Sequence, residues 1–187
     1  MRLKPPKPPY SPDVAKNIAR WKGQTDIETP EIFEAFHIHP DLATRAGILG
    51  AGLLGHGLLP LRDREIVVHR VTGMLGAEHE WGLHATVFAE AAGLTQDQVD
   101  ATIMQGCIRE AWSESDAQLI DMIDELSESA QLSDDSWAQL RARYSDEQLV
   151  EFIILVGWYR TVASMCNVLQ VDPHPQCRRF PGTNQAP

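Results

Sequence analysis

The chain has 187 residues, 43% of them hydrophobic and 22% charged, with a formal net charge of -10. That length suits one domain with a real core, or two halves sharing one. An acidic balance without a basic run argues against nucleic-acid binding, because nothing is there to neutralise phosphates. The N-terminus, MRLKPPKPPYSP, lacks the apolar stretch of a signal peptide. No uncharged apolar run approaches the roughly 20 residues that span a bilayer. Cys107, Cys166 and Cys177 form no CxxC and no zinc spacing. They read as reduced thiols in a cytosol-like, cytoplasmic compartment, with Cys107 and Cys166 as small buried hydrophobes in helical segments.

Residues 1–29 read as a proline-rich arm and a first helix, with four prolines in the first ten positions. Residues 30–171 read as the main domain and 172–187 as a tail lying across the surface. Between arm and tail no segment alternates polar and apolar residues as a strand would. Helices are expected at 12–21, 30–37, 41–58, 61–74, 77–92, 96–106, 114–129, 134–143 and 146–169. Thr95, Ser113 and Ser145 are each followed three residues later by Gln98, Asp116 and Gln148, the signature of reciprocal N-terminal capping. Gly93 and Gly106 mark helix ends, and Gly157 sits inside a helix where close packing needs it. The fold class is therefore all-α. A weak echo relates Glu65 to Glu151 at an offset of 86 residues, which suggests a tandem helical repeat.

Residues 62–93 concentrate the chemistry. Glu65/His69 and Glu80/His84 are i,i+4 pairs, so each pair shares a helical face, and His79 lies beside the second pair. Carboxylates and imidazoles move protons near neutral pH. Two E-x-x-x-H pairs on adjacent helices could also hold a metal, but di-metal bundles use Glu-x-x-His spacing with further glutamates. No metal or other cofactor is expected. His37 and His39 precede Pro40-Asp41 and read as a turn capping the next helix. His56 and His174 read as structural. Trp81 and Trp158 read first as packing residues. Tyr159, on an apolar helix, needs a partner for its hydroxyl and is a candidate to line a pocket.

This pattern resembles the carboxymuconolactone decarboxylase family, which shares its fold with the alkylhydroperoxidase AhpD. The resemblance covers roughly residues 30–171 and is strongest from Leu61 to Leu94. The peroxidase branch carries a glutamate, eleven residues, then C-x-x-C-x-x-x-H. Glu65 matches that glutamate and His84 the histidine, while Ala77 and Glu80 occupy the cysteine positions and His79 lies between them. The Leu-x-x-Arg-Glu start at Leu61, Trp81 and the Ala92-Gly93-Leu94 run also resemble the family. Peroxide reduction needs a thiolate and a resolving cysteine, and the motif has neither. The resemblance therefore implies a cysteine-free, AhpD-like helical protein working as a cofactor-independent lyase or isomerase on a small carboxylated, cyclic metabolite. It also implies a homo-oligomer, a trimer or hexamer. His84 would be the general acid/base and Glu65 its orienting partner. His79 and Glu80 would be substrate-facing proton donors or oxyanion stabilisers. His69, Trp81 and Tyr159 would line the pocket. The same residues would serve decarboxylation, isomerisation, hydrolysis or retro-aldol cleavage. The alternatives are an AhpD-like hydroperoxide-reducing antioxidant enzyme and a non-catalytic binding protein that kept the fold.

Overall fold

A computed structural model describes residues 1–23, 25–103 and 109–183. Among the described residues it is all-helical, with nine α-helices, one 3-10 turn at Arg109–Ala111 and no strand. The helices are α1 Pro12–Lys22, α2 Glu31–Phe36, α3 Pro40–Gly55, α4 Leu61–Met74, α5 Glu78–Val87, α6 Gln96–Ala101, α7 Glu114–Ser129, α8 Asp134–Arg143 and α9 Asp146–Leu169.

The starts follow local chemistry. Thr95 with Gln98, and Ser145 with Gln148, form complete capping boxes. Ser113 caps α7, but Asp116 does not reciprocate, because its carboxylate accepts from Arg62 at 3.0 Å instead. The His39 ring accepts the Leu42 backbone N–H, so the turn before Pro40 does cap α3. The ends diverge more from the expected bounds. α3 stops at Gly55 rather than 58, and α5 at Val87 rather than 92. After Phe88 the backbone loosens into turns that close on Gly93, at φ 66°. α6 ends at Ala101; Gly106 and Cys107 lie outside the described residues. Gly157 does lie inside α9, but among the described residues nothing outside its own helix backbone would lie within 4 Å of a Cβ there.

α4 is the centre, packed against α5, α7 and α9. Every residue from Asp63 to Gly73 is buried, so this helix has no solvent face. Ile66, Val67, Val68 and Val71 join Trp81, Leu119, Ile123, Phe152 and Leu155 in the main core. A second cluster, with Ile32, Phe36, Ala43, Val162 and Ala163, ties α2 and α3 to the far half of α9. α9 has the length and composition of a bilayer-crossing helix. One face of it, from Leu149 to Cys166, belongs to these cores. The second copy of the 86-residue echo falls on this single unbroken helix, whereas the first spans the α4–α5 pair.

The turn between α4 and α5 decides what meets what. Gly76 sits at φ 68°, a left-handed conformation that only glycine adopts without cost. It reverses the chain within three residues, so α5 returns along α4 and His84 faces Glu65. The tail after α9 then crosses α5. Arg179 pairs with Glu78 at 2.8 Å, Arg178 lies over the Trp81 ring, and Phe180 packs edge-on against the same indole.

Candidate active site

Glu65 is fully buried in the first turns of α4, and its two carboxylate oxygens have separate partners. Oε1 accepts from Arg64, with Nε at 2.9 Å and Nη2 at 2.8 Å. Oε2 accepts from His84 Nδ1 at 2.8 Å. The other nitrogen of His84, Nε2, lies 3.0 Å from the Tyr159 hydroxyl and 3.6 Å from Glu80 Oε1. Arg64 is itself fixed, donating from Nη1 to the Leu54 carbonyl at 2.6 Å and lying over the Phe88 ring.

These contacts set the charges. Burial alone would push the Glu65 carboxyl up, but His84, His69 and Arg64 hold it below the usual carboxylate range. Burial alone would push His84 down, but Glu65 and Glu80 together raise it to about 9. The pair is therefore a carboxylate and an imidazolium near neutral pH. The second proton of the imidazolium, on Nε2, points toward Tyr159 and Glu80. Burial raises the Tyr159 hydroxyl well above its ordinary value, helped by Glu80 and Glu65, so it stays protonated.

Tyr159 and Glu80 also border a cavity of about 420 Å³. Glu80 is buried, and its Oε2 has no hydrogen-bond partner among the described residues. The remaining walls are mainly aromatic, including Trp21, Phe33, Phe36, Phe88 and Trp158. The arrangement is a chain of ionisable groups, Glu65–His84–Glu80/Tyr159, running from the core to a cavity wall. Such a chain can protonate a ligand at one point and recharge from behind.

The structure thus brings together Glu65, Glu80, His84 and Tyr159, from α4, α5 and α9. It places His79 elsewhere. The His79 Nδ1–H donates to the Asp172 carbonyl at 2.6 Å, and its ring borders a different cleft with Tyr10, Glu34 and His174. His69 donates from Nδ1 to the Glu65 carbonyl at 2.7 Å, and its ring is not on the cavity wall. Burial keeps His69 neutral, lowering it to about 4 against the pull of Glu65. Trp81 donates to Thr102 Oγ1 at 2.9 Å and lies in the core, also off the cavity wall. Arg64 and Phe88 join the site without having been singled out from sequence. Arg64 had a signal, a cation adjoining the motif glutamate. Phe88 had none.

Of the cysteines, Cys166 is buried in the second cluster and its thiol is pushed well above its ordinary value, first by burial and then by Glu80. Cys177 is also buried and free, and likewise raised by burial. Ala77, at a cysteine position of the peroxidase motif, is fully buried against the same second cluster. Among the described residues, no group of three or more His, Cys, Asp or Glu side chains is arranged to hold a metal ion.

Residues 40–119 match the model of the carboxymuconolactone decarboxylase family. No curated protein matches the sequence. In fold the chain is similar to an uncharacterized peroxidase-related protein from Silicibacter sp. TM1040. The identity is 15% and the TM-score 0.78, over 92% of this chain and 91% of that one. It is also similar to a protein of unknown function from Agrobacterium tumefaciens, a candidate antioxidant defence protein AhpD. There the identity is 19% and the TM-score 0.62, over 74% of this chain and 94% of that one. Likeness at these identities establishes the fold.

Proposed function

We propose a cofactor-independent lyase or isomerase working by proton transfer, on the footing that residues 40–119 match the carboxymuconolactone decarboxylase family model and that the fold is AhpD-like. The substrate is a small carboxylated, cyclic metabolite bound in the cavity beside Glu80 and Tyr159. One observation carries this reading: the Glu65–His84 ion pair ends at the Tyr159 hydroxyl and the Glu80 carboxylate on a cavity wall.

Removing a carboxylate, or moving a double bond, in an activated acid leaves negative charge on carbon. That charge must spread into a neighbouring carbonyl, and a proton must arrive at a remote carbon. The His84 imidazolium passes its Nε2 proton to the Tyr159 hydroxyl or the Glu80 carboxylate, and that group hands a proton on to the substrate carbon. Glu65 holds the imidazole in place and stabilises its charge, and Arg64 holds Glu65. His84 does not border the cavity, so its part is to recharge the groups that do.

A hydroperoxide-reducing antioxidant enzyme is the rival reading. It needs a reactive thiolate, and burial works against one at both Cys166 and Cys177. Hydroperoxide turnover that disappears when Cys107, Cys166 and Cys177 are replaced by serine would support the rival. The exposed apolar side chains on α9, among them Val150, Ile153, Ile154 and Val168, support a homo-oligomer in which further copies cover them.

The direct test is proton exchange. A panel of small cyclic keto acids and lactone acids is incubated in D2O and followed by proton NMR. The proposal expects wild-type protein to catalyse exchange, loss of carbon dioxide or isomerisation of at least one member. His84→Ala and Glu80→Gln should be slowed by roughly 10²–10⁴-fold. A wild-type rate that both variants retain would refute the assignment.

A further inference from the structure

The cavity beside Glu80 has walls that specify more than its size. Of the chain's thirteen aromatic residues, six border it: Trp21, Phe33, Phe36, Phe88, Trp158 and Tyr159. Phe36 organises the wall. It packs edge-on against Trp21, centroids 5.0 Å apart, and lies nearly parallel to Trp158 at 6.0 Å. One edge of α3 backs both indoles. A Cβ at Gly47 would collide with the Trp21 ring, and one at Gly50 would press on Trp158 at 3.2 Å. The glycine at 47 is what lets Trp21 seat flat on the helix.

Charge is laid out along the cavity with a sign. Its buried end holds Glu80, whose Oε2 lacks a partner, and the Tyr159 hydroxyl. The last turn of α1 also lines the cavity, with Arg20 exposed to solvent and Lys22 half-buried. Neither cation has an ion pair or hydrogen bond from its side chain to any described residue. A carboxylate pushed inward would meet Glu80 in a low-dielectric wall, whereas toward solvent it would meet two cations that no described residue pairs.

We infer that the cavity takes a flat aromatic carboxylate, its ring against the Trp21–Phe36–Trp158 wall, its carboxylate outward at Arg20 and Lys22, and a hydroxyl inward at Glu80. This rests on the proposed function only for the idea that the cavity is the substrate's. Aromatic faces favour offset or edge-on ring partners, which a flat ring satisfies and a puckered ring does not. The unpaired Glu80 oxygen accepts the ligand hydroxyl, which places that end of the ring beside the proton chain. Specificity then lies largely in α1, α2 and α9, outside the residues 62–93 that carry most of the chemistry.

The test uses 6-hydroxy-2-naphthoate, read by its fluorescence, on the intact chain. The expected order of affinity is 6-hydroxy-2-naphthoate, then 2-naphthol and 2-naphthoate, then cyclohexanecarboxylate. Arg20→Ala with Lys22→Ala should weaken the hydroxynaphthoate roughly three- to tenfold and leave 2-naphthol unchanged. Glu80→Gln should weaken the hydroxynaphthoate and leave 2-naphthoate unchanged. Gly47→Ala should weaken every ring ligand by roughly tenfold or more by unseating Trp21, and Trp21→Ala provides the same loss without overpacking α3. His84→Ala, which removes the proposed chemistry at a residue that does not line the cavity, should bind 2-naphthoate, which makes no use of Glu80, as wild type does, so failed catalysis and failed recognition are told apart. Equal affinity for cyclohexanecarboxylate and the hydroxynaphthoate, or a basic-turn double variant that loses nothing, would overturn the inference.

Discussion

Helix α4 carries two kinds of buried polar cluster, and they differ in whether they are finished. At one kind every charge is answered. Asp63 accepts from Arg143 at 2.8 Å and from the Tyr144 hydroxyl at 2.7 Å. Arg70 grips both oxygens of Asp124 and donates to the Thr102 carbonyl at 3.0 Å. These clusters tie α4 to α7, α8 and the end of α6. The other kind, Glu65–His84–Tyr159–Glu80, is left open. Glu80 Oε2 and His69 Nε2 have no partner, and the chain of groups stops at a cavity wall. A closed cluster holds the fold, whereas an open one keeps a valence for a ligand. An unpartnered buried polar atom costs about 1–3 kcal/mol; among the described residues His37 Nε2, His79 Nε2, Trp112 Nε1 and Ser127 Oγ are unpartnered too, but of all these atoms only Glu80 Oε2 belongs to a residue that lines the cavity.

The contrast can be broken by substitution. His84→Ala and Glu65→Gln should lower the catalysed rate by roughly 10²–10⁴-fold, with cooperative unfolding retained in denaturant titrations. Arg70→Ala should do the reverse. Leaving Asp124 unanswered should cost about 3–5 kcal/mol of stability, read as a lower urea midpoint, with the rate per folded molecule unchanged. A rate loss in Arg70→Ala at full folding would erase the distinction.

A pH series sharpens it. His84 is raised in the fold from 6.5 to about 9, so its contribution is complete below about 6.5 and is lost as pH rises through 9. His69 is lowered to about 4, so between 6.5 and 4 the unfolded chain takes up a proton that the fold refuses. Stability from this cluster should therefore fall on both sides of about pH 6.5. Glu65→Gln should flatten the alkaline limb. Equal alkaline limbs in the two proteins would count against the ion pair. The smallest effect is reserved for Cys166→Ala, about 1 kcal/mol or less of stability and no change of rate.

Much of the frame was legible because short-range chemistry sets it. Thr95, Ser113 and Ser145 are N-caps, and α6, α7 and α9 begin directly after them. The i,i+4 relation of Glu80 and His84 survives because α5 is helical across both. What the spacing could not reveal is tertiary. Glu65 reaches His84 only because Gly76 turns the chain, and Tyr159 arrives from 75 positions away. His79 shares the first turn of α5 with Glu80 but points to the segment after α9, because neighbours on a helix diverge by about 100°. Trp21 lies in the stretch read as arm and first helix, yet it walls the cavity. Phe88 falls where α5 ends early, and that ending places its ring against His84 and under Arg64.

The measurement closest to the central claim is the titration of His84 itself. Nitrogen-correlated proton NMR of the seven histidines, with His84→Ala to assign the signal, reads it directly. The account predicts that His84 stays an imidazolium through neutral pH and titrates at about 9. In Glu65→Gln the titration should move down. A wild-type His84 that titrates at or below 6.5, or one indifferent to Glu65→Gln, would contradict it.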